Sequence, residues 1–208
     1  MTYNTISHIC TTELIIKKSR FICILIPLNE LHNVETGLHD AKQKYSGANH
    51  YCFAYRIKQD GNILERCSDD GEPSGTAGWP ILNVLKKKEL ENIMAIVVRY
   101  FGGTLLGTGG LVRAYNKCVQ SALDVPHIVC MEYSQKIVMT LDYCYYGSFE
   151  KQFFDIINQA ADITYTERVN LELWIAVDKL ADFIAQVDNL SLGTAIIECR
   201  EVGYVPQR

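Results

Sequence analysis

Through its first hundred residues the chain sets apolar side chains in short runs divided by polar punctuation. "TELIIKKS" and "RFICILIPL" alternate or run apolar over strand-like lengths, and "IMAIVVRYF" is a β-branched run of the kind a buried strand carries. Between them, "ELHNVETGLHDAKQKY" spaces Leu31, Val34, Leu38 and Ala41 at helical intervals. "HYCFAYRI" and "NILERCS" flank the turn signal "KQDG" and so predict a hairpin. Pro80 suits the first turn of a helix, "PILNVLKKKEL", whose lysines complement a helix C-terminus. "LVRAYNKCVQSALD" has helical periodicity, and Pro126 breaks the chain after it.

Beyond that break the pattern is simpler. "SQKIVMTLDY" alternates as a strand, and "SFEKQFFDIINQA" is an amphipathic helix with Phe149, Phe153, Ile156 and Ile157 on one face and Ser148 as its cap. "ITYTER" and "VNLELWIAV" read as adjacent antiparallel strands. "DKLADFIAQVDNL" is a second helix capped by Asp178, and "TAIIECREV" is a closing strand. The order βαββαβ is the ferredoxin-like split motif. The expected fold class is therefore α+β in two domains, 1–130 and 131–208, with the boundary near Pro126 to Ser134.

Composition narrows the class. With 48% hydrophobic and 21% charged residues, the chain is neither disordered nor fibrous. The longest apolar runs fall far short of the roughly 20 residues a spanning helix needs, so no membrane partner is expected. The start carries no basic stretch followed by an apolar one, and the eight cysteines are scattered without a C-x-x-C pair. Together these predict reduced thiols and a cytoplasmic location. The net charge of −4 is uneven: up to Glu132, fourteen Lys and Arg face thirteen Asp and Glu, and beyond it six face eleven. A polyanion would meet the first half, if either.

Two stretches hold the candidate chemistry. "RYFGGTLLGTGGLVRAY" passes from a buried strand through Gly102, Gly103, Gly107, Gly109 and Gly110 into a helix, with Arg99 before the glycines and Arg113 in the first helical turn. Glycines admit close approach, and a helix start presents free N–H groups, so this is a plausible anion cradle. It is not a Walker A loop, because no Gly-Lys-Ser/Thr appears, and "GTGGLV" lacks the third glycine of a dinucleotide fingerprint. A tight strand-to-helix turn explains the same glycines equally well. "CSDDGEPSGTAGWPIL" sets Asp69, Asp70 and Glu72 within reach of one another. Three carboxylates hold Mg²⁺ or Ca²⁺ or act as acid and base; alternatively they cap backbone amides or pair with Arg66, Arg99 or Arg113. The spacing is not that of an EF-hand. His50 and Cys52 share a strand face, but a single such pair is no metal site, and Cys67 has no activating base nearby in sequence.

Taken together, "KKSRFI" (Lys17 to Ile22), "HYCFAYRI", "SDDGEPSGTAGWPIL" and "VVRYFGGTLLGTGGLVRAY" resemble the IMPACT/YigZ family in order and spacing, over essentially the whole chain. The resemblance implies a first domain like domain two of ribosomal protein S-five and a ferredoxin-like second domain. Two domains of these types are also consecutive in translation elongation factor G, which by analogy implies contact with ribosome or RNA. Eukaryotic members regulate translation under stress, with an extra N-terminal domain that this sequence lacks. No established catalysis and no cofactor come with the family. Its shared surface corresponds here to Arg20, His50, Asp69, Asp70, Glu72, Ser74, Thr76, Arg99, Tyr100, Gly102, Gly103, Gly109, Gly110 and Arg113. "TLL" (Thr104 to Leu106) stands where many members have a lysine before the leucine.

Two functions are then expected to compete. The first is a non-catalytic binding protein of translation or its regulation, whose partner is the ribosome, RNA or a translation-associated protein. The second is an enzyme or sensor of a small phosphorylated ligand, with Asp69, Asp70 and Glu72 holding Mg²⁺. Both place the acids on one lip of a shared hollow and the arginines on the other.

Overall fold

A computed structural model describes residues 2–28, 31–59, 61–126, 128–158, 160 and 162–207. Glu30, Asp60 and Gln159, which belong to a predicted helix, turn and helix, lie outside them. The chain divides into two compact units, Tyr3–Val129 and the residues from Cys130 onward together with Thr2. Each is a mixed α+β fold.

The chain opens with β1 (Thr2–Ile6), and the first unit goes on with β2 (Cys10–Ile16), β3 (Ser19–Pro27), α1 (His32–Lys44), β4 (His50–Gln59), β5 (Asn62–Ser68), α2 (Gly78–Lys87), β6 (Ile93–Tyr100) and α3 (Thr108–Leu123). Its sheet runs β2-β3-β6-β4-β5, every neighbouring pair antiparallel. The central β6 is buried on both faces, as its unbroken apolar run predicts. On one face Phe21, Cys23, Cys52, Ala54, Ala95 and Val97 pack against α2 and α3. On the other, Ile22, Ile24, Tyr55, Ile57, Ile96 and Val98 pack against α1. This alternation fixes which residues meet at the strand ends: His50 and Arg99 are paired across β4 and β6, on the face that α3 covers.

The first strand, β1, is not legible as a periodic run; backbone and side-chain bonds to the segment before β6 hold it, with Glu91 N–H donating to Asn4 O at 2.8 Å and Thr5 Oγ1 to Asn92 O at 3.1 Å. Between β2 and β3 the turn is only Lys17–Lys18, with φ of 46° and 69°. Two left-handed residues are what a tight hairpin requires, but glycine or asparagine normally supplies them. Holding a lysine there costs on the order of 1 kcal/mol per residue.

The second unit contains β7 (Ile128–Leu141), α4 (Tyr143–Gln152), α5 (Phe154–Ile157), β8 (Asp162–Tyr165), β9 (Val169–Ala176), α6 (Leu180–Ser191) and β10 (Ile196–Pro206). Antiparallel pairing in the order β10-β7-β9-β8 is the ferredoxin-like arrangement, and β1 is the fifth strand of this sheet, next to β7. Ile137, Met139, Leu171 and Leu173 pack under Phe149, Phe153, Phe183 and Val187 of the helices.

Two predicted caps are corrected. The helix expected to begin after Ser148 begins at Tyr143, so Ser148 is inside it. Tyr145 and Tyr146 pack on the core and extend the helix backward through residues whose propensity gives no such signal. Asp178 lies in the turn before α6 and caps nothing; the turn closes through Lys179 N–H to Ala176 O instead.

Candidate functional site

The acidic loop after β5 is bound to itself. The Asp69 carboxylate accepts three backbone N–H groups: Ala77 (2.9 Å) and Gly78 (2.8 Å) at Oδ1, and Gly75 (2.9 Å) at Oδ2. It therefore caps α2 from eight residues upstream, a task that Ala77 at the helix start cannot perform. Burial pushes the Asp69 carboxyl upward, but these three amides outweigh it and hold the group below its ordinary value. Asp70 adopts a left-handed φ of 42°, and its Oδ2 accepts Tyr51 N–H at 2.7 Å. The Asp70 carbonyl accepts the Nδ1–H of His50 at 2.8 Å, fixing that imidazole's tautomer. Thr76 is buried and donates to Pro73 O at 2.6 Å, while Ser74 is exposed at the tip of the loop.

Glu72 turns inward. Its side chain is 3% exposed, and Oε1 accepts Arg99 Nη1 at 2.5 Å and the Tyr115 hydroxyl at 2.8 Å, with His50 Nε2 at 4.0 Å. Arg99, 6% exposed, stacks on Phe21 and Phe101 at 5.3 and 5.6 Å from the ring centroids. Burial, then the negative charge of its neighbours, raises the Tyr115 hydroxyl far out of reach of ionisation. Cys52 donates to Asp69 O at 2.9 Å, and burial with the surrounding carboxylates pushes its thiol up to about 12. Cys67 is raised as well, by burial and by Asp69. Neither thiol is a ready nucleophile.

The glycine segment, by contrast, is open. Gly102 N–H donates to Ser19 Oγ at 3.2 Å, and a Cβ on Gly102 would lie 2.0 Å from the Lys18 carbonyl carbon, so only glycine fits beneath the β2–β3 turn. Gly107 precedes α3 with φ 72°. The helix then begins at Thr108, three residues earlier than its apolar period indicates. Gly109 and Gly110 thus lie in its first turn and Arg113 in the second, exposed, which corrects the expected first-turn placement. Gly71, Glu72 and Pro73 on one side and Phe101, Leu105, Leu106, Gly107, Thr108 and Leu111 on the other line a cleft of about 470 Å³. Its rim is apolar, with Leu105 82% and Phe101 44% exposed.

The predicted residues fall into three sets. His50, Glu72 and Arg99 meet at the cleft floor, with Asp69, Asp70 and Thr76 building the loop behind them. Gly102, Gly103, Gly109 and Gly110 flank the opposite lip in sequence, but it is Gly107 and Thr108 between them that line the cleft. Arg20 and Tyr100 stack together at 5.5 Å, and Arg20 pairs with Glu13 at 2.8 Å; both alternate away from Phe21 and Arg99, toward the sheet's other face. Acids and arginines do not confront each other across a gap, because Glu72 and Arg99 close on each other inside. Among the described residues no group of three or more His, Cys, Asp or Glu is placed to hold a metal ion. Sequence reasoning missed Tyr115, Ser19 and Asn49, whose Oδ1 accepts Phe101 N–H at 2.8 Å. Tyr115 carried a signal: a hydroxyl on the apolar face of a helix, between Leu111 and Cys118, needs a buried acceptor.

Fold and site define a two-domain α+β protein with a cleft on the first domain, floored by a buried ion pair. The chain belongs to the IMPACT family: residues 17–123 match the Impact N-terminal domain. "IMPACT family member YvyE" of Bacillus subtilis (strain 168) is 36% identical over 205 residues, spanning 98% of this chain and 93% of its own. "IMPACT family member YigZ" of Escherichia coli (strain K12) is 32% identical over 180 residues, covering 86% and 88%. A crystal structure described as that of an hypothetical protein superimposes with a TM-score of 0.63 at 30% identity, over 96% of this chain and 98% of the other. No helix among the described residues is long and apolar enough to cross a membrane.

Proposed function

We propose that this chain is a non-catalytic binding protein of translation or its regulation, and that the cleft and its apolar rim meet RNA, the ribosome or a ribosome-associated protein. The observation that carries this reading is the contrast within the cleft. The carboxylates of Asp69, Asp70 and Glu72 are all bonded to the protein itself, whereas Phe101 and Leu105 stand exposed around a concavity. Groups that serve catalysis are normally presented to a substrate, and exposed apolar side chains beside a hollow mark docking. The implied role of the family in translation supports the choice of partner.

Sedimentation of cell lysate through sucrose at low salt tests it. The wild-type chain is expected in the ribosomal fractions, and the double variant Phe101→Ala, Leu105→Asp at the top of the gradient. A wild-type chain wholly in the free fractions overturns the proposal. The second reading, a sensor or enzyme for a small phosphorylated ligand, is favoured by one observation: Gly107 and Thr108, at the start of α3, line the cleft. Its Mg²⁺ component has no support, because the carboxylates are occupied. A thermal-shift series with millimolar nucleotides decides it, with stabilisation by a phosphorylated ligand that Arg113→Ala removes as the supporting result.

A further inference from the structure

Resting on the translation reading above, we infer that the macromolecule met by the first domain is RNA. Its phosphates are held by a basic strip formed by the Lys17–Lys18 turn with Arg113 and Lys117 of α3, beside the exposed ring of Phe101. Three observations carry this.

The first is charge without partners. Lys17, Lys18, Arg113 and Lys117 are all exposed, and among the described residues none of their side chains takes part in an ion pair or hydrogen bond. The neighbouring arginines differ: Arg20 is paired with Glu13 and Arg99 with Glu72. The segments 14–29 and 101–123 contain no Asp or Glu at all. An acidic protein thus keeps two acid-free stretches that carry uncompensated cations.

The second is convergence. Phe21 packs edge-on against Tyr115 at 5.4 Å, and Cys10, opposite Leu25 in the β2–β3 ladder, donates to Ala122 O at 3.4 Å. Helix α3 therefore runs along β3 with its N-terminal half beside the β2–β3 turn. Arg113 and Lys117, four residues apart, share one helical face there. Gly102 locks the turn against the glycine segment, since any side chain at that position would collide with the Lys18 backbone. The third is the identity of the turn itself: lysines occupy two left-handed positions that glycine or asparagine would fill more readily, so the charge is retained against backbone preference.

Four cations, a helix start and an exposed aromatic ring are the components of a single-strand RNA contact: phosphates on the basic strip and a base on Phe101. A protein partner for the same cleft would rely on the apolar rim and would be indifferent to salt.

Fluorescence anisotropy of the full chain with a labelled 20-nucleotide RNA, from 50 to 200 mM salt, is the test, run beside the sucrose gradients. The wild-type chain is expected to bind with a log–log salt slope of about −2 to −3, as three to four displaced counterions dictate. Lys17→Glu with Lys18→Glu is expected to weaken binding at least tenfold and to flatten the slope, and Arg113→Glu with Lys117→Glu to do the same. Lys17→Arg with Lys18→Arg keeps the charge and is expected to retain binding, which separates charge from turn geometry. No RNA binding, or binding that both charge reversals leave unchanged, overturns this inference. Should ribosome co-sedimentation then persist and depend on Leu105, the partner is a protein and only the RNA assignment falls. RNA binding without co-sedimentation removes the translation reading and leaves the basic strip standing.

Discussion

The two loops that line the cleft are both rich in glycine, yet they are built to opposite ends. The loop between β5 and α2 turns every acidic side chain back onto the protein: Asp69 caps a helix, Asp70 holds β4, and Glu72 anchors Arg99 and Tyr115. The loop between β6 and α3 binds the rest of the domain through backbone N–H groups, at Phe101 and Gly102, and leaves Leu105 and the start of α3 facing outward. A cluster of acids with arginines and glycines is therefore no guide by itself to which side chains face a ligand. Here the charged residues build the wall and the uncharged ones are presented.

That contrast is sharpest at Glu72. Replacing it with alanine strips a buried Arg99 of its counter-charge and leaves the Tyr115 hydroxyl without an acceptor, with an expected loss of about 3–5 kcal/mol in urea unfolding. Leu105→Asp, on the opposite lip, is expected within about 0.5 kcal/mol of wild type by the same measurement. Equal losses at the two positions would erase the distinction between wall and presented surface.

Gly102→Ala is expected to cost about 1–3 kcal/mol, because the added methyl must displace the Lys18 backbone. Asp69→Asn is expected to be milder at neutral pH and clearest in acid. The folded carboxyl sits below its ordinary value, so its contribution is complete above the unfolded pKa and is lost as pH falls through the folded one, below about pH 4. Wild-type stability should fall in that window more steeply than that of Asp69→Asn, and parallel acid profiles would refute the capping role. The smallest effect is of opposite sign: Lys18→Gly relieves a left-handed residue and should raise stability by about 0.5–1 kcal/mol while weakening RNA binding.

Much of the scaffold was legible because its signals are local. β6 is apolar without interruption, α1 repeats at helical spacing, and "KQDG" separates β4 from β5. What escaped depends on distance. β1 is held through Glu91 and Asn92, some ninety residues away, and carries little periodicity of its own. The start of α2 is capped by Asp69 rather than by its own first residue, and α3 begins on Thr108–Gly109–Gly110, which have poor helix propensity. The same holds for the site. Both candidate stretches could be picked out from their composition, but the burial of Glu72 against Arg99, twenty-seven positions apart, follows only from the alternation of β6 beneath α3. Lys17 and Lys18 are adjacent in the sequence, but a lysine pair without its backbone angles says nothing of strain.

Three segments remote in sequence are tied at one oxygen: Glu72 Oε1 receives a strand through Arg99, a helix through Tyr115, and the acidic loop through its own backbone. The two lips consequently lack independent hinges. Amide exchange at Gly75 and Ala77 on one side and at Leu111 on the other should proceed through a single shared opening event, with one protection factor for both lips.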